Sequence, residues 1–140
     1  AFFCCLFMLK RENKYFDKVE DLSGLSKNHP LLSLSMMIIL FSLAGIPPLA
    51  GFFAKFYIFT AVIEQSMYFL AIVGLLSTVI AAFYYIRLIK VMYFDEQKDK
   101  YDLNHSIGLK MILVISSTII LIYFINPNII NNFVLDIALI

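Results

Sequence analysis

Charge is what this sequence lacks where it matters most. Residues 28–54 contain no Asp, Glu, Lys or Arg. Two further runs are equally bare: residues 65–86 and residues 111–135, 22 and 25 residues long. Charged residues make up 15% of the chain, against about a quarter in soluble domains. Each bare run is long enough to cross a hydrocarbon core of roughly 30 Å at about 1.5 Å per residue. These absences exclude an ordinary soluble domain. Cysteine is nearly absent too. Cys4 and Cys5 are the only two, and they are adjacent. Adjacent thiols rarely form an unstrained disulfide, and no spaced His or Cys completes a zinc or iron–sulfur site, so both read as small apolar helix residues. No glycine pattern of a Rossmann turn or P-loop occurs, nor any nucleophile site. The basic residues form no stripe, which excludes nucleic acid as a partner.

The sequence therefore reads as all-α, a polytopic transmembrane bundle forming a single membrane domain over residues 1–140. Residues 1–9 are too short to span and read as the end of a helix that begins elsewhere, in a longer chain or a partner. Neither an initiator Met nor a signal-peptide pattern opens the sequence. Residues 10–28 hold five basic and four acidic residues and read as a solvated connection. A broken span covers residues 30–64, opened by His29-Pro30, with proline suited to a first helical turn. Full spans follow at 67–90 and 107–125, separated by a charged loop at 94–106. Residues 126–140 read as a short tail along the membrane surface. In the span 67–90, the small residues Ala71, Gly74 and Thr78, with Ser77 and Ala81, predict close helix approach. In the last span, Ser116, Ser117 and Thr118 are predicted to bond back to carbonyls or to a neighbouring helix. Lysine and arginine concentrate in the loops 10–28 and 94–106 and their flanks, which predicts that both face the cytoplasm or matrix.

The broken span is the informative one. At Gly45, Pro47, Pro48 and Gly51 it must unwind, because proline removes a donor and clashes with the preceding turn. Two half-helices with a non-helical segment at 45–51 result. Unwound backbone is tolerated in a membrane only where protein or water covers it. Beside the break stands Lys55, the lone formal charge between residues 28 and 63. It lies about 13 Å from Glu64, roughly mid-membrane. A charge there is costly and points to function. Burial disfavours the ammonium, and the N-terminus of the second half-helix is predicted to aim positive dipole at it. Such an amine takes and releases protons. A structural reading stands beside this one: Lys55 paired permanently with an acid on another helix. His29 caps a helix at the interface or admits protons. Glu64 is a solvated turn residue or marks a proton exit.

The segments Asp21–Ser26, His29-Pro30, Phe41–Phe52, Lys55-Phe56-Tyr57 and Phe83–Phe94 together resemble the antiporter-like membrane subunits of complex I. The resemblance covers nearly the whole chain and is weakest after Asp95. It implies a fourteen-helix subunit of which this chain is the last three helices and part of the eleventh. The family's discontinuous twelfth helix carries a buried lysine or glutamate in a proton path; Lys55 occupies that position. It further implies a non-redox subunit of a proton-translocating NADH:quinone reductase. No cofactor is expected in this chain; flavin, iron–sulfur clusters and quinone sites are expected in other subunits. Its partners would be other complex I membrane subunits, a chain supplying the ten missing helices, and lipids. The location implied is the mitochondrial or bacterial inner membrane. A subunit of a related cation/proton antiporter or membrane hydrogenase, or a purely structural membrane segment, remains the alternative.

Overall fold

A computed structural model of the chain describes residues 2–11, 14–15, 18–96, 102–103 and 107–126. Six α-helices dominate these residues: α1 (Phe2–Met8), α2 (Leu25–Asn28), α3 (Pro30–Ala44), α4 (Ala50–Glu64), α5 (Tyr68–Phe94) and α6 (Ile107–Ile125). A 3-10 turn at Val19–Leu22 precedes α2. The fold is all-α apart from three minimal strands, β1 (Leu9–Arg11), β2 (Lys14–Tyr15) and β3 (Asp102–Leu103). They pair antiparallel in the order β2-β1-β3, with Lys10 opposite Tyr15 and also opposite Asp102. The connection over 10–28, read as solvated, contains strand and helix, and its Leu22, Ser23 and Leu25 are buried. The pairing of β1 with β3 also brings the two charged loops together at one end of the bundle. The tail 127–140 and most of the loop 97–106 lie outside the described residues.

α3 is the hub. Leu32, Ser33, Met36, Ile39 and Leu40 are buried, and their spacing of three or four lines one helical face. That face shares a core with Cys5 of α1, Leu22 and Leu25, Ile89, Val91 and Met92 of α5, and Leu113 of α6. The 3-10 turn and α2 close over the end of α5, where the Gly24 N–H donates to the Val91 carbonyl at 3.3 Å. Outer faces of α5 stay apolar and exposed, Val79 and Phe83 among them at 67% and 64%. A membrane helix presents such a face to lipid or to another chain without penalty.

α5 alone, at 27 residues, is long and apolar enough to cross a membrane among the described residues. α3 and α4 have 15 residues each, about 22 Å, so neither half spans by itself. They follow one another along α5. The α3 core residues meet Ile89 and Met92, while Phe59 of α4 lies against Gly74. A Cβ at Gly74 would stand 2.8 Å from the Phe59 ring, so this small residue does admit the close approach read from the sequence. Ser77 is exposed. For Ser117 the expected bond is not found. Ser117 Oγ is buried and has no hydrogen-bond partner among the described residues.

Candidate functional site

The break is built by two local devices. At the first, α3 ends in a left-handed turn at Gly45, φ +82°. The Ile46 N–H reaches back to the Phe41 carbonyl at 3.1 Å and the Gly45 N–H to that of Ser42 at 3.0 Å. This 6→1, 5→2 pairing is a Schellman motif, which suits glycine because the left-handed region costs any L-residue with a Cβ. It satisfies the carbonyls of Phe41 and Ser42 and leaves those of Leu43 and Ala44. After Ile46 the prolines prevent resumption; Pro47-Pro48 is a cis peptide. Helix resumes at Ala50.

The second device fastens α4 onto α3. The first backbone N–H groups of a helix have no internal partners, and Leu49 provides no side-chain cap for α4. Ser42 of α3 provides it instead. Its Oγ accepts the Gly51 N–H at 3.1 Å. The approach is close enough that only glycine fits. A Cβ at residue 51 would overlap the Ser42 carbonyl oxygen and stand 2.7 Å from its carbon. Removing the hydroxyl in Ser42→Ala is expected to cost about 1 kcal/mol, as for a helix cap, read as a lowered thermal midpoint of the detergent-solubilised protein.

Lys55 completes the joint. Its Nζ donates to the Leu43 carbonyl at 2.9 Å and the Ala44 carbonyl at 3.2 Å, the two that the Schellman turn leaves over. The side chain runs across Gly45, where an added Cβ would meet Lys55 Cδ at 3.1 Å and Nζ at 3.2 Å. Gly45 is thus required twice, for its φ and for the lysine's path. Gly45→Ala is expected to destabilise by about 2 kcal/mol from the left-handed strain alone. Gly45→Asn tolerates that φ and keeps the crowding, so thermal midpoints of the two variants separate the contributions.

This geometry changes two expectations. The helix terminus nearest the amine is the C-terminal end of α3, which is the negative end of its dipole, not the positive start of α4. Lys55 lies beyond the first turn of α4, where the dipole effect fades. And among the described residues its partners are two backbone carbonyls; it is half-buried within this chain.

The amine borders a half-open cleft of about 320 Å³ between α4 and α5, walled by Phe56, Phe59, Thr60, Ile63, Leu75 and Thr78. The structure thus gathers Gly45, Gly51 and Lys55, while Pro47 and Pro48 are exposed on the outer side of the turn. His29 and Glu64 are not brought to them. His29 sits at the far end of α3, about 21 Å along its axis. Its side chain makes no cap bond to α3, although its carbonyl accepts the Ser33 N–H at 3.0 Å. Glu64 is exposed in the last turn of α4. Sequence reading passed over Ser42 and Thr60 as site residues and took Thr78 only for packing. Their roles arise from contacts between helices that no spacing within one helix reveals.

Comparison with known proteins agrees with this architecture. Residues 1–81 match the family described as NADH:quinone oxidoreductase/Mrp antiporter, TM. NADH-quinone oxidoreductase subunit N of Pelagibacter ubique (strain HTCC1062) is 71% identical over 128 residues, covering 91% of this chain and 27% of that protein. The subunit N of Parvibaculum lavamentivorans is 44% identical over 125 residues, covering 89% and 26%. This chain therefore spans about a quarter of the length of the relatives it matches. A chain of respiratory complex I from Thermus thermophilus with bound aureothin shares the fold, with a TM-score of 0.67 at 24% identity, over 79% of this chain and 26% of that one. With more than half its length inside the family's match, the chain belongs to the NADH:quinone oxidoreductase/Mrp antiporter transmembrane family.

Proposed function

We propose that this chain is the C-terminal part of a membrane-arm subunit of a proton-translocating NADH:quinone oxidoreductase, and that Lys55 is a proton relay within it. The observation that carries the reading is the amine seated at the joint of two half-helices, with backbone carbonyls as its partners and a cleft beside it. A relay needs a group that changes charge without dismantling its surroundings. A carbonyl accepts a hydrogen bond from ammonium and from neutral amine alike, so the joint survives either state. A carboxylate partner would have pinned the charge.

In this reading the subunit carries no redox group. NADH oxidation, flavin, iron–sulfur clusters and quinone reduction belong to other subunits of the assembly. The remaining helices of the subunit and lipid cover the exposed faces of α4 and α5. The relatives named above are bacterial, which favours a bacterial inner membrane over a mitochondrial one. The paired charged loops would face the cytoplasm and the Glu64 turn the opposite side.

One observation favours a scaffold reading. Lys55 ties off the C-terminus of α3, and that is a structural task in itself. Lys55→Arg in the complete subunit separates the two, because arginine keeps donors and charge but does not release its proton in proteins. Proton uptake driven by NADH oxidation is measured in sealed inverted vesicles beside the amount of assembled complex. Lost uptake with normal assembly supports the relay; wild-type uptake leaves only the scaffold.

A further inference from the structure

The cleft beside Lys55 extends along both helices toward Glu64. α4 and α5 are joined by a tight turn at residues 65–67 and run antiparallel, so a step back along one matches a step forward along the other. The Phe59 ring against Gly74 fixes the register. Four residues from Phe59 toward the break lies Lys55; four residues from Gly74 in the same direction lies Thr78. Thr78 thus stands at the level of Lys55. Thr60 lies about 7 Å nearer the turn, and Glu64 about 6 Å beyond that.

The hydroxyl hydrogens are both engaged inside their own helices. Thr60 Oγ1 donates to the Phe56 carbonyl at 2.9 Å, and Thr78 Oγ1 to the Leu75 carbonyl at 2.8 Å. Thr60 and Thr78 both line the cleft, and each oxygen keeps lone pairs with which it can accept a further bond. Lys55 is the complement. An ammonium has three donors; two are on Leu43 and Ala44, and the third has no partner among the described residues. The volume corresponds to about ten waters at roughly 30 Å³ each. The rest of the wall is largely apolar, so water is held where amine and hydroxyls offer partners. Ser77 makes the same kind of backbone bond, to Val73 at 2.9 Å, but is exposed and does not line the cleft.

We infer that Thr60 and Thr78 are positioning residues that order a short file of water from Lys55 to the Glu64 end of the cleft. The inference rests on the relay reading of Lys55. The amine hands its proton to a water held by Thr78. That water passes one of its own protons to the next, held by Thr60, and a proton leaves beside Glu64 as the amine stays neutral until recharged. The threonines neither gain nor lose a proton.

The test uses the complete subunit in its native assembly, in sealed inverted vesicles. Variants are Thr60→Val, Thr78→Val and the double valine, which keep volume and remove the oxygen, with Thr→Ser at both positions and Ser77→Ala as references. Proton flux coupled to NADH oxidation is expected to fall about tenfold or more in the double valine at unchanged assembly. The double serine retains flux and Ser77→Ala matches wild type. Wild-type flux in the double valine, with Lys55→Arg inactive, overturns the path and leaves the relay standing. Wild-type flux in Lys55→Arg instead removes the relay itself. Should the double valine not assemble, each single valine is read against its serine counterpart, and equal flux in the pair overturns the inference.

Discussion

Gly51→Ala removes the subunit from the membrane. Helix propensity argues the other way, since alanine is favoured over glycine within a helix by about 1 kcal/mol. Contact geometry decides. The added methyl would occupy the position of the Ser42 carbonyl oxygen, which already accepts the Gly45 N–H of the turn. Neither partner is a flexible side-chain end that swings away. α4 must retreat from α3, and the Ser42 Oγ bond to the Gly51 N–H and both Lys55 bonds lengthen with it. Overpacking alone costs about 3 kcal/mol at the upper end of its usual range, and the lost bonds add to it. The expected result is little accumulated subunit in membranes, measured by immunoblot, and a lowered thermal midpoint for any complex recovered. A variant as abundant and stable as wild type would show that propensity outweighs the contact and that α3 and α4 do not meet closely here.

The second large effect is graded by what replaces Lys55. Lys55→Met leaves the Leu43 and Ala44 carbonyls without their donor. Leu43 is exposed and Ala44 half-buried within this chain, so the lost bonds are expected to cost about 1 kcal/mol and to show as reduced assembly. Lys55→Gln restores an N–H donor on a shorter stem and recovers part of the assembly. Lys55→Arg restores donors and charge, and is expected to assemble best. All three are expected to carry protons about a hundredfold more slowly than wild type, because none offers a titratable amine. Assembly and proton flux thus sort the variants differently. If flux merely tracked assembly across the three, the lysine would be a strut.

The outline was readable from residues because its signals are local. Charge-free runs, Pro30 at a helix start, and Gly45 with Pro47-Pro48 at a helix end each act through their own backbone. The break, its lysine and the long α5 followed from these. The partners of Lys55 were not readable. Carbonyl oxygens belong to every residue, so Leu43 and Ala44 bear no mark of being ligands. The predicted dipole failed for the same reason: it assumed that the amine lies at the start of its own helix, whereas a long side chain reaches back across glycine to the end of the previous one. Ser42 and Gly51, nine residues apart, match no capping spacing because the cap comes from another helix. The strands at the charged end escaped notice because β1 finds its second partner in β3, over ninety residues away.

The length of α5 has a consequence of its own. Its 27 residues measure about 40 Å, roughly 10 Å more than a hydrocarbon core. A bare helix of that length would tilt or thicken the bilayer around it. Here the surplus end is wrapped: Ile89, Val91 and Met92 are buried, and Gly24 is hydrogen-bonded to that turn. A collar of the protein's own chain covers one side of this end, so part of the surplus length rests on protein rather than on lipid.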